Sequence, residues 1–482
     1  MKRAWTWIDD RLNPILVKEV RQALRSRFFL GTYGLALVMA TGIGMFVLMG
    51  ADSDELGTIF FGTVYACLAA ATMGLVPFQA FLAAGGGWDA EKTNILLLTD
   101  LRPAQIVRGR LLSSVTQSLL ILLALLPFLG LAFLLPGVDL GVAGVVLVTT
   151  LIFSAYLSCL TIAASWLTSN KLLRVLLMTF LGGGLLWFTG VAVALGIEML
   201  DHPDNMADDE FWWAWAAIVL HGGAVAAFAF AAACARIAHP EENRSRPLRL
   251  LTLVVTAALL VAIYVLMDQT SSPDDEMVVA LAAYGSLTLT VPFAFFLTEP
   301  ERLGRRVRID LPRRRLLALL TAPLQPGGGN GFVLLLVTCA AFFGVLILAP
   351  PPNVDQWRDE YLPGLLTCAS YLIIAVGVTT PFFARWTERT PVRILAVLSA
   401  PMFCAAAMLA PAFWGFVTSD RDLERFRHVG NPVYTMEQVF RGSGDGYEPL
   451  LFLGVITVLM LNVPRVIRGL RLLRSAGAST ST

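Results

Sequence analysis

Imidazoles, thiols and carboxylates do most acid–base, nucleophilic and metal chemistry, and in this chain their spacing points away from all three. His202, His221, His239 and His428 are scattered, and no His-Glu-x-x-His segment puts two imidazoles on one helical face. Cys67, Cys159, Cys234, Cys339, Cys368 and Cys404 show no metal-ligand spacing, and each falls inside a long apolar run, where a thiol packs as a small apolar group. No glycine-rich loop ends in Lys-Ser or Lys-Thr, so the chain has no P-loop cradle for ATP phosphates. A Gly-x-Ser-x-Gly elbow is also absent. The acidic run Asp201 to Glu210, with His202 inside it, reads either as a metal loop or as a solvated acidic loop.

Two polar stretches have more to say. Asn13 and Pro14 make a strong helix start, an N-cap followed by a first-turn proline. After them, Ile15, Leu16, Val17, Val20, Ala23 and Leu24 share one helical face, with Lys18, Arg21, Gln22 and Arg25 opposite. That is an amphipathic helix suited to a membrane surface. The second stretch spans 85–110. Gly85-Gly86-Gly87 releases the chain from an apolar run, and Asp89 and Glu91 fall in the first turn of a short helix, where the dipole favours acid. Leu96, Leu97 and Leu98 give that helix an apolar tip. Thr99 or Asp100 can cap the following helix, which Pro103 enters. Arg108 and Arg110 stand at its base.

The elements that must position these segments are membrane spans. The chain is 56% hydrophobic and 15% charged, against roughly 45–50% and 25% in soluble domains. A bilayer core about 30 Å thick needs about 20 apolar residues per helix. Twelve stretches qualify: 28–50, 59–84, 111–135, 141–167, 175–197, 211–235, 250–267, 277–298, 332–349, 362–384, 394–418 and 447–464. With the N-terminus inside, 31 of the 36 Lys and Arg residues fall on the cytoplasmic side, whereas 23 of the 35 Asp and Glu residues fall outside. This loop-by-loop alternation obeys the positive-inside rule and puts both termini in the cytoplasm. A cleaved signal is not expected, since the basic segment before the first span and the span itself are both too long. The expected fold is all-α: a polytopic membrane helix bundle of about twelve transmembrane helices in a six-plus-six arrangement. Ionisable groups are almost missing from the spans, with His221 the clear exception, which speaks against ion-coupled transport.

An acidic residue and Thr (Glu91, Thr93), then Leu96-Leu97-Leu98-Thr99, Pro103, Ile106-Val107, and Gly109 followed by Arg110 together resemble the hallmark loop of ABC type-2 permeases. The helix Asn13 to Arg25 resembles that family's interfacial helix before the first span. The resemblance covers roughly Asn13 to Ala235. Departures are Lys92 before Thr93 where the family has Gly, a Thr93-to-Thr99 spacing one residue short, Asp100 in place of Pro, and Arg110 where Lys is commoner. The resemblance implies a permease subunit of an ATP-driven exporter in a bacterial inner membrane. Its cytoplasmic coupling helix would dock on a separate ABC ATPase, which would carry ATP and Mg; this chain itself would be neither an enzyme nor a holder of cofactors. It implies coupling roles for Asp89, Glu91, Thr93, Leu96, Leu97, Leu98 and Thr99. Arg108 and Arg110 would be anchors at the membrane base, and Lys18, Arg21 and Arg25 would form the basic face of the interfacial helix. Taken by themselves, the same loop charges read as dipole complements and inside-facing positive residues.

The organisation expected is a cytoplasmic amphipathic segment (1–27), a six-span permease-like unit (28–237), a linker (238–249), a second six-span unit (250–474) and a disordered tail (475–482). In the second unit, Arg302, Arg305, Arg306, Arg308, Arg313, Arg314 and Arg315 precede a Leu-rich stretch in the position corresponding to 85–110. This suggests a parallel repeat, as in other transporters, or a lipid-binding basic run. Gly327-Gly328-Gly329 reads as a flexible entry to the next span. Partners expected are the ATPase, the lipid bilayer and a second copy or second permease; nucleic acid is not among them. The reading from other classes is a membrane scaffold or a membrane-embedded enzyme without an ATPase.

Overall fold

A computed structural model of the chain describes residues 14–50, 56–85, 102–166, 171–238, 242–269, 275–309, 311–312, 317, 320–348, 362–383 and 447–479. Among these residues every regular element is helical and no strand occurs. The chain divides into two compact units, Met1–Ala238 and His239–Thr482. Among the described residues seven helices are long and apolar enough to cross a membrane, which makes this an integral membrane protein by length and composition.

The first unit opens with α1 (Pro14–Leu24) and α2 (Arg27–Gly50). Helix α3 (Leu56–Ala69) runs through a π-helical stretch, Ala70–Leu75, into α4 (Val76–Gly85). Then come α5 (Pro103–Ala132), α6 (Leu140–Ser165), α7 (Lys171–Asp201) and α8 (Asp209–Ile237). Helix α5 begins at Pro103, and Arg102 before it is extended, its N–H donating to Gln105 Oε1 at 2.9 Å. Neither Thr99 nor Asp100 is therefore the cap of this helix; they lie outside the described residues. Asp139 caps α6 by accepting from the Gly141 and Val142 N–H groups at 2.7 and 3.0 Å. The turn between α5 and α6 is pinned to α3: Gly57 N–H donates to Pro136 O at 2.9 Å, and Thr58 Oγ1 donates to Gly137 O at 2.7 Å. A Cβ at position 57 would collide with that carbonyl, so glycine is required there.

The packing is arranged for lipid, not water. Phe60, Phe61, Val64, Leu68, Ile121, Leu125, Val142 and Val146 form the core of the unit. Its exterior is apolar as well: Phe180, Leu186, Trp187 and Leu220 are each more than 70% exposed. In water such a surface would aggregate, whereas acyl chains solvate it. The polar residues Thr72, Ser118, Thr150, Ser154 and Ser158 are buried instead.

The second unit contains α9 (Arg246–Gln269), α10 (Asp275–Leu297), the short α11 (Arg305–Ile309), α12 (Gly328–Leu348), α13 (Leu362–Phe383) and α14 (Tyr447–Ser479). Two stretches that read as short spans in the sequence, 332–349 and 447–464, meet longer helices here: residues 332–348 lie in Gly328–Leu348 and 447–464 in Tyr447–Ser479. The residues expected to form a disordered tail are helical to Ser479. The expected span 394–418 lies outside the described residues. Asn462 of α14 donates to Gly377 O of α13 at 3.2 Å, an interhelical amide bond of the kind that fastens apolar helices.

Candidate interfacial site at the base of the first unit

The site is built from one end of α4, the first four turns of α5 and the amphipathic α1 laid beside them. Helix α1 packs chiefly on α5. Lys18, Arg21 and Arg25 are exposed. Glu19 turns inward, its Oε1 3.8 Å from Arg110 Nε. The bend from α1 into α2 is held by Ser26, whose Oγ accepts from Phe29 N–H at 3.1 Å and from Gln79 Nε2 of α4 at 3.2 Å. The two arginines expected to act together as anchors part company. Arg108 is exposed, whereas the Arg110 side chain is only 15% exposed and its guanidinium sits 5.3 Å above the Trp166 ring. Trp166 O accepts in turn from Arg236 Nε of α8 at 3.2 Å. Asn13, Asp89, Glu91, Thr93, Leu96, Leu97, Leu98 and Thr99 lie outside the described residues.

Beyond Arg110 a polar stripe runs into the bundle along α5: with Arg110 as i, Ser113, Ser114, Gln117 and Ser118 follow at i+3, i+4, i+7 and i+8, on one helical face. All four are buried. Ser118 Oγ meets Ser154 Oγ of α6 at 2.8 Å, and Ser154 Oγ lies 2.7 Å from Thr72 O in the π-helical stretch. A π turn leaves a carbonyl displaced from the ordinary ladder, and here a serine on a neighbouring helix satisfies it. Helix α6 carries its own buried polar stripe, Thr150, Ser154, Ser158, Thr161 and Ser165, which the α5 stripe meets at Ser154. The sequence signal for both stripes was the helical spacing of small polar residues inside apolar runs, which a search for charged residues passes over.

Between α1, α4 and α5 lies a half-open cavity of about 460 Å³. Most residues on its wall are polar, Lys18, Glu19, Gln22, Gln79, Arg110 and Gln117 among them, beside apolar ones such as Leu82 and Ile162. Gln117 is 6% exposed and donates from Nε2 to Ser113 O at 3.3 Å, while its Oε1 has no hydrogen-bond partner.

The second unit has a separate charged node that the sequence reading missed. Arg249, in the first turn of α9, has no exposed surface. Its Nη2 donates to Glu299 Oε2 at 2.6 Å and to Gly327 O at 3.0 Å; its Nη1 donates to Pro323 O at 2.8 Å and to Gln325 O. Ser245 Oγ donates to the other Glu299 oxygen at 2.5 Å. Nearby, Glu301 Oε1 accepts from Gly329 N–H at 2.6 Å and lies 3.9 Å from Arg465 Nε of α14. Burial pushes the Glu301 carboxyl above its ordinary range, with Glu299 adding to the rise; the Gly329 N–H, Arg465 and Arg249 oppose it. The glycine run expected to be a flexible entry is thus clamped. Gly328 and Gly329 open α12 against Arg465, and a Cβ at 328 would collide with its guanidinium and with Leu297 O. Of the arginine run, Arg306 pairs with Glu242 at 3.3 Å on the exposed surface, and Arg313, Arg314 and Arg315 lie outside the described residues.

Among the described residues no three His, Cys, Asp or Glu side chains gather as a metal site; His202 lies 3.6 Å from Glu198, both exposed. Set against protein families, curated proteins and solved structures, the chain matches none.

Proposed function

We propose that this chain is the membrane permease subunit of an ABC-type transporter, an exporter, driven by a separate ATPase that docks on the segment 86–101 between α4 and α5. The observation that supports this reading is the seat of α1. An amphipathic helix preceding the first span lies along the base of α5, joined to it through Glu19 and Arg110 and to α4 through Ser26 and Gln79. Both helices that hold the ends of 86–101 are therefore braced by α1, and a push on that segment reaches α5 directly. From α5 it passes to α6 and the π-helical stretch through the Ser118–Ser154–Thr72 contacts. The reading includes a six-plus-six arrangement and a bacterial cytoplasmic membrane, together with twelve spans and both termini in the cytoplasm, for which the distribution of 31 of 36 basic residues speaks. Alternating access would come from rocking of helix bundles, with ATP and Mg on the partner chain.

The test is affinity purification of the tagged chain in mild detergent, wild type beside a Glu91→Arg, Leu97→Asp variant. A stoichiometric ATPase that is lost in the variant supports the proposal. Recovery of no ATPase across several detergents overturns it in favour of a scaffold or membrane enzyme.

A further inference from the structure

We infer that the exposed face of α1 is a binding surface for the phosphate headgroups of anionic phospholipids. Lys18, Arg21 and Gln22 share one side of α1 at i, i+3 and i+4, and Arg25, in the turn directly after it, extends the row. All four are exposed, and with Val17 and Ser26 they line an open groove of about 780 Å³. Among the described residues that line the groove there is no acid, and Lys18, Arg21 and Arg25 form no ion pair. The acid of α1, Glu19, is turned to Arg110 and compensated there. The row therefore presents positive charge alone over about 10 Å, at 1.5 Å per residue from Lys18 to Arg25.

Phosphate is the anion that matches this row. Bases three and four positions apart stand about 5–6 Å apart at Cβ, so two long side chains reach one phosphate. Each guanidinium offers N–H donors in a planar fork that fits phosphate oxygens, and Lys18 adds a point charge. A choline or ethanolamine headgroup carries its own cation beside the phosphate, and the neighbouring bases repel it. An anionic headgroup meets no such repulsion. The apolar side chains that follow the row mark the source as lipid. Leu24 is 38% exposed, and in the first turn of α2 Phe28 and Leu30 are 38% and 57% exposed. A soluble phosphate leaves those side chains in water, and an acidic protein surface covers them with charge. A phospholipid covers them with acyl chain while its phosphate stays at the bases. Ser26, which accepts from Phe29 N–H and from Gln79 of α4, fixes the bend between the bases and these apolar residues.

The experiment titrates the full-length purified protein in detergent with short-chain phosphatidylglycerol, phosphatidylcholine and soluble glycerol phosphate, and reads bound ligand by native mass spectrometry. Wild type is expected to bind phosphatidylglycerol more tightly than phosphatidylcholine, by about fivefold for each base that engages the headgroup. A triple variant, Lys18→Gln, Arg21→Gln and Arg25→Gln, is expected to lose that preference. Arg21→Lys with Arg25→Lys, which keeps the charge, is expected to retain most of it. Equal affinity for the two lipids in wild type, or an unchanged preference in the triple variant, would overturn the proposal. If the triple variant does not fold, Arg21→Gln alone decides, with a loss of about fivefold expected. Displacement of phosphatidylglycerol by glycerol phosphate at equal concentration would overturn the lipid source. A triple variant that keeps the lipid preference but loses a co-purifying protein would assign the face to an acidic protein instead. Lipid preference is read without an ATPase in the sample, so this inference and the permease reading stand or fall separately.

Discussion

Arg249 is a full charge with no exposed surface, held by one carboxylate and three backbone carbonyls. Such a charge is tolerable only while those partners stay in place. Removing one member of a buried pair costs about 3–5 kcal/mol, because the other charge is stranded. Glu299→Leu is therefore expected to lower the thermal unfolding midpoint of the purified protein sharply. A loss comparable to that of an exposed pair such as Arg306–Glu242, worth about 0–1 kcal/mol, would show that Arg249 finds other partners. Glu301 gives a pH signature. Its carboxyl is raised in the folded protein, so the fold favours the protonated form. The contribution of this group is fully present below the ordinary value of 4.5, and it is lost as pH rises through the higher folded-state value. Glu301→Gln removes that loss. The fall in midpoint as pH rises from about 4.5 toward neutrality is expected to be shallower in the variant, and parallel curves for the two proteins would contradict the assignment.

At the scale of elements, α1 and the polar stripe of α5 are the features on which the proposed function rests. Glu19 is the inward acid on a helix whose other charges are basic. Glu19→Lys puts a second positive charge beside Arg110, and like charges at such a spacing repel. The expected result is release of α1 from α5, measured as faster alkylation of a Ser26→Cys probe, with the unsubstituted Glu19 background as control; no change in rate would mean that apolar contacts alone hold α1. The π-helical stretch makes a second prediction. Ser154→Ala leaves Thr72 O without its serine donor and is expected to cost about 1–3 kcal/mol, read from chemical unfolding in mild detergent. A neutral effect would indicate that water reaches this carbonyl.

For the whole molecule the open quantity is orientation. The charge asymmetry expects Asp204 on the outer face and Arg244 on the inner one. In a cysteine-free background, Asp204→Cys should react with an impermeant thiol reagent in intact cells, and Arg244→Cys only after permeabilisation. The reverse pattern would invert the topology and remove the cytoplasmic position of 86–101 on which the ATPase reading depends.

Sequence by itself determined that this is a helical membrane protein, because hydropathy and length are properties of consecutive residues and lipid imposes them segment by segment. It also marked α1 as amphipathic, since a helix's periodicity defines its faces without knowledge of its neighbours. A coupling role for the segment 86–101 was legible only as a resemblance, and its residues lie outside the described structure. What tertiary structure alone decided is which buried polar groups meet. Arg249 and Glu299 are 50 residues apart, and Ser154 and Thr72 are 82 apart. Periodicity tells which face a residue occupies, but a pair forms only when two helices have a fixed rotation and register, and those are set by packing. For the same reason Arg108 and Arg110, alike in sequence, separate into an exposed residue and a cavity wall: two positions along a helix is about 200° around it.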